Sequence, residues 1–141
     1  MGIGLTICAY KWFHPRSVNT FSGREERDLS ALRDLVESML GAFRSRYHES
    51  EEECGCRLEA TMPVAPWDDV FDRMSNRQME QFKTKLEALS EALKKAEDEA
   101  DPHEAAKVLE RQFGSDFPVP TKEESAKSSS RPAITKSHSS A

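Results

Sequence analysis

The sequence predicts an all-α fold, mainly helical, with four to five helices, at most one short strand or β-ribbon, and a disordered C-terminal tail. Three observations carry this expectation. Apolar residues recur at spacings of three and four in two long segments. Ser, Asp, Pro and Gly stand where helices need starting and stopping residues. Beyond residue 120 the large apolar side chains give out: residues 121–141 hold seven serines and, from the Leu, Ile, Val and Phe set, only Ile134. One structured unit over 1–120 and a Ser-rich tail over 121–141 follow, because such a tail buries too little to offset its ordering entropy.

The first element, Ile3 to Phe13, is apolar nearly all round, through Ile3, Leu5, Ile7, Cys8, Ala9, Tyr10, Trp12 and Phe13. A helix without a polar face belongs inside a larger body. The chain enters this segment directly, so more structure is expected upstream in the natural protein. Pro15 closes the element and Arg16 to Gly23 reads as a loop. A second helix is expected from about Arg24 to Tyr47, its stripe being Leu29, Leu32, Leu35, Val36, Met39, Leu40 and Phe43. Glu25, Glu26 and Asp28 suit the positive end of its dipole.

An acidic turn follows at Glu49 to Gly55. The alternation from Arg57 to Met62 allows a short strand, and Pro63 and Pro66 bracket an extended connector. Trp67 to Met74 reads as a short helical turn. Ser75 with Gln78 three residues on forms a capping box ahead of a long helix with Met79, Phe82, Leu86, Leu89, Leu93, Ala96 and Ala100 on one seam. Two arrangements satisfy that seam, a short coiled coil or a helix packed on its neighbours, and its fading into alanine favours the second. Asp101, Pro102 and Glu104 then supply N-cap, N1 and N3 of a last helix. That helix is expected to bury Ala105, Val108, Leu109 and Phe113 and to stop at Gly114.

Composition excludes several functions. A net charge of −5 over 141 residues opposes the basic footprint that sequence-independent nucleic-acid binding requires. No run of 18 apolar residues is available to span a membrane. No basic residue precedes the apolar start and Lys11 interrupts its end, so it is a poor signal peptide. A cytoplasmic location is expected. Cys8, Cys54 and Cys56 are an odd set, two of them one residue apart, and make a poor disulfide framework. A Cys54–Cys56 metal half-site would need two further ligands that the histidines do not offer at suitable spacing, and free thiols are the simpler reading.

Catalytic chemistry is also missing. There is no phosphate-cradling glycine loop and no dinucleotide fingerprint. Asp68 and Asp69, being adjacent, would point about 100 degrees apart on a helix and share a metal poorly. No catalytic residue and no metal ligand is assigned.

One stretch is more specific than its periodicity. Trp67, then DDVFDRMSNRQMEQFKTKLEALSEAL (Asp68 to Leu93), an alanine-rich continuation, a short helix and FGSDFP (Phe113 to Pro118) together resemble the C-terminal helical lobe of bacterial cGAS/DncV-like nucleotidyltransferases (CD-NTases). These enzymes make cyclic oligonucleotide signals in antiphage defence (CBASS). GIGLTICAYKWF (Gly2 to Phe13) followed by RDLSALRDLVESML (Arg27 to Leu40) resembles the helix, loop and helix ahead of that segment. The resemblance covers residues 2–118. It implies a truncated fragment that helps enclose nucleotides but lacks the N-terminal catalytic half, with its Gly-Ser turn and metal-binding aspartates. Such a fragment would be inactive alone, needing the missing half for Mg2+, ATP and GTP. No ligand contact is carried over from the family. Lys11, Arg16 and Arg24 would be able to approach a ligand, with surface charge the simpler role. In some operons of this family a ubiquitin-ligase-like partner conjugates the enzyme through its last residue. That would make Ala141 the conjugation point, and a solvated tail without a partner is the plain alternative. A small helical interaction or dimerisation module using the Met79–Ala100 seam is the alternative function.

Overall fold

The computed structural model describes residues 2–21, 23–46 and 55–129. Its central element is α3 (Asn76–Asp98). Ser75 starts it as expected: the Gln78 backbone N–H donates to Ser75 Oγ at 3.3 Å and the Ser75 N–H to Gln78 Oε1 at 2.9 Å, so two N–H groups that the first turn leaves unpaired are satisfied. The α3 seam is filled by the chain's own elements. Met79, Phe82, Leu86, Leu93 and Ala96 are buried where α3 meets α2 (Asp28–Gly41), α4 (Pro102–Phe113) and β4 (Gly55–Leu58). Neighbour packing wins over the coiled coil.

The second helix is shorter than its apolar stripe. α2 stops at Gly41, and residues on both sides of it go into two-stranded antiparallel ribbons. Upstream, β1 (Ser17–Thr20) pairs with β2 (Gly23–Glu26) with Thr20 opposite Gly23. The tight reversal needs Gly23, whose φ of +131° suits no side chain. The ribbon's base is tied by the Arg27 N–H donating to Arg16 O at 2.9 Å, and this leaves no residues for a helix before Asp28. Downstream, β3 (Phe43–Arg46) pairs with β4 in a register that sets Phe43 against Leu58, both buried. Phe43 continues the helical stripe and also satisfies a strand face. Gly41, a poor helix former, and the Leu58 partner decide for the strand. The fold is thus mainly helical but holds two ribbons, which corrects the expectation of at most one.

The connector from β4 to α3 is a clamp. Asp69 Oδ1 accepts from the N–H of Ala60 at 3.0 Å and of Phe71 at 3.1 Å. Arg57 donates to the carbonyls of Phe71 and Met74, each at 2.9 Å. The helical turn expected at Trp67 to Met74 is a run of turns instead. Bonds from the Asp72 N–H to Asp69 O and from the Met74 N–H to Phe71 O close it three residues at a time.

α4 starts as expected, Asp101 Oδ1 accepting from the His103 N–H at 2.9 Å with Pro102 at the first position, and it ends at Gly114 with φ +97°. Its buried row differs. Ala106 is sealed, whereas Ala105, Val108 and Leu109 are half-buried and Phe113 is 48% exposed. α4 packs along α3 on one side only, so the Phe113 row is left for the Phe117 ring stacked on it at 5.5 Å. Structure also continues past residue 120: α5 (Lys122–Ser129) forms behind a Thr121–Glu124 capping pair. The expected tail boundary at 121 therefore shifts, and residues 130–141 lie outside the described residues.

Candidate interaction surface

α1 (Gly2–Trp12) has two different sides. Gly4, Ile7 and Cys8 are buried, and the Gly4 backbone lies so close to Phe71 that a Cβ there would stand 2.5 Å from the ring. Only glycine permits that approach. Ile3, Leu5 and Tyr10 face outward at 62%, 44% and 74% exposure. Phe13 after the helix, Val18 on β1 and Phe21 at the ribbon tip add further exposed apolar surface. Exposed apolar residues gathered in this way make this side of the fold a candidate contact face.

Around this helix the polar groups are committed to the fold. Lys11 Nζ donates to Thr61 Oγ1 at 2.8 Å, and Arg16 Nε donates to Asp34 Oδ2 at 2.7 Å. Two of the three residues able to approach a ligand, Lys11 and Arg16, thus hold the ends of α1 and the ribbon. Arg24 lies opposite Asn19 in the ribbon. A polar network joins α2 to α3, with Arg33 paired to Glu97 and Ser30 Oγ donating to Glu97 Oε1 at 2.5 Å. Burial pushes the Cys8 thiol up to about 11, with Asp69 adding to the shift and Lys11 opposing it. Cys8 is a protonated core thiol at neutral pH.

Asp69 is taken up by backbone N–H groups and Asp68 is exposed, so the adjacent pair does not converge. Among the described residues no group of three His, Cys, Asp or Glu side chains is placed to hold a metal ion. Cys56 is half-buried with Lys83 Nζ 4.0 Å from its sulfur. Cys54 and Ala141 lie outside the described residues. No described helix is long and apolar enough to cross a membrane.

A second surface was not foreseen from the sequence. Leu29 and Leu32 of α2, Leu109 and Phe113 of α4, and Phe117 and Pro118 beyond it line an open apolar groove of about 550 Å3, with Asp28 and Asp116 among its lining residues. Its signal was present as the pair of rings in FGSDFP, four residues apart across a glycine turn. Trp67 is likewise presented outward, 62% exposed at φ +63°, a backbone state uncommon for a bulky residue.

No protein family, curated protein or solved structure matches this chain in the comparisons made.

Proposed function

We propose that residues 2–118 are a helical lobe of the cGAS/DncV-like kind. The lobe packs through α1 against a catalytic half carried on other polypeptide, and there it walls a nucleotide site used to make cyclic oligonucleotide signals for antiphage defence. By itself it contributes shape rather than chemistry, and ATP, GTP and Mg2+ are handled by the other half. On this reading the protein works in the cytoplasm, and Ala141 is the residue offered to a ubiquitin-ligase-like conjugating partner.

The observation that carries the reading is the outward side of α1. Ile3, Leu5 and Tyr10 are exposed on a helix whose other side is sealed against Phe71. Each fully buried large apolar side chain contributes roughly 1.5–3 kcal/mol, so a partner that covers these residues would gain substantially. The resemblance of the order of elements from Gly2 to Pro118 to the family's lobe is what supports a catalytic half as that partner.

Coding DNA ahead of Met1 provides the test. An in-frame region bearing a Gly-Ser turn and paired aspartates is expected, and joining it to this chain should give cyclic products from ATP and GTP that Ile3→Lys abolishes. An unrelated upstream gene, or cyclic product made by residues 1–141 alone, overturns the reading.

The groove between α2 and α4 favours a second reading, a helical interaction module. The seam is occupied within the chain from Met79 to Ala96, so such a module would associate through Leu109, Phe113 and Phe117. A dimer in size-exclusion chromatography that Phe113→Asp dissociates supports it; a monomer at every concentration removes it.

A further inference from the structure

α5 is eight residues long, and a helix of that length does not persist in water unaided. It stands only while docked on the body. The docking contact is poor in apolar surface. Ser125 is buried at 5% exposure, while Lys122, Glu123, Glu124, Ala126 and Lys127 are exposed. Ser125 Oγ has no hydrogen-bond partner among the described residues, so docking removes a hydroxyl from water without replacing its bond. An open surface pocket of about 370 Å3 lies beside the contact, lined by Ala100, Asp101, Pro102, Lys122, Ser125 and Ala126.

The bonds that define the start of α5 are local to it. Thr121 N–H and Oγ1–H both donate to Glu124 Oε2 at 2.9 Å, and the Glu124 N–H returns to Thr121 Oγ1 at 3.3 Å. They form and break with the helix. One residue upstream stands a tether to the body, His103 Nδ1 on α4 bonded to Pro120 O at 2.6 Å.

We propose that residues 121–129 are a two-state strap, docked as α5 over the α3–α4 turn or released as extended chain, hinging beside the His103–Pro120 tether while α4 stays folded. Release hands a partner nine residues of chain, about 30 Å when extended. A partner that takes the extended form has only this weak docking to overcome, so a modest difference in affinity suffices to shift the equilibrium. The strap does not depend on the nucleotidyltransferase reading.

Hydrogen exchange with mass readout on the full chain tests it. The α5 amides are expected to exchange much faster than those of α3. The exchange S125A/A126S keeps the helix composition and moves the hydroxyl to the exposed position, and it should slow α5 exchange roughly ten-fold without altering α3. Ser125→Lys should strip protection from α5 and leave the melting of the body in place. Wild-type α5 protection equal to that of α4, an S125A/A126S protein with unchanged α5 exchange, or a Ser125→Lys protein that loses α4 as well would each overturn the strap.

Discussion

α1 and α3 are both helices with abundant apolar residues, yet the chain treats them differently. α3 alternates an apolar seam with a solvated face, and its seam is covered by α2, α4 and β4. α1 carries apolar residues on every side and has only the Gly4, Ile7 and Cys8 side covered, leaving Ile3, Leu5 and Tyr10 exposed. A helix whose pattern matches the cover available to it is a self-contained structural element; a helix whose apolar surface exceeds that cover is set up for a further contact. Stability should therefore concentrate in α3 and association in α1.

The largest expected effect comes from breaking α3. Leu93 is fully buried in the core cluster, and Leu93→Ala should cost about 2–5 kcal/mol through lost transfer energy and the cavity left behind. Denaturant unfolding by circular dichroism reads it. A loss under about 1 kcal/mol would mean that the seam is not the core.

Gly4→Ala comes next and separates the two helices. The added methyl would meet Phe71 at 2.5 Å, a ring held in the cluster with Phe82 at a centroid distance of 5.7 Å. Overpacking of this kind costs about 1–3 kcal/mol. The loss should fall on α1, which lifts from Phe71, while α3 stays protected in hydrogen exchange. Equal loss of protection in both helices would show that α1 is part of the same cooperative core.

The elements legible in the sequence were those that local chemistry specifies. Ser75 with Gln78, Asp101 with Pro102, and Gly114 act on backbone groups within four residues, so their positions could be read directly. The ribbons were legible only in part: the alternation from Arg57 allowed a short strand, which the structure has at Gly55–Leu58, but nothing local named its partner. Phe43 fits a helical stripe after Met39 and Leu40, and only its pairing with Leu58, fifteen residues on, makes it a strand residue. The α1 surface was half-readable: its apolar girdle announced a contact, but which side the chain covers itself depends on Phe71, more than sixty residues away. The groove left only the ring pair of FGSDFP as a trace in the sequence, and its walls needed tertiary placement, since Leu29 and Phe113 read separately as core.

The smallest effect expected is a chemical one, and it reports on the covered side of α1. Cys8 is fully buried with its thiol raised from 9.0 to about 11, chiefly by burial. Iodoacetamide reacts with thiolates, so at pH 8 native protein should label half-buried Cys56 well before Cys8, read residue by residue after digestion. The same shift sets a pH dependence. The folded state holds the neutral thiol and the unfolded chain ionises it above 9.0, so the contribution is whole below that pH and is lost as pH rises towards about 11. Gly4→Ala should bring Cys8 labelling towards the Cys56 rate by lifting α1, whereas Tyr10→Lys on the outward side should leave it unchanged. If Tyr10→Lys also opened Cys8, the two sides of α1 would not be independent, and the division between a sealed side and a docking side would fail.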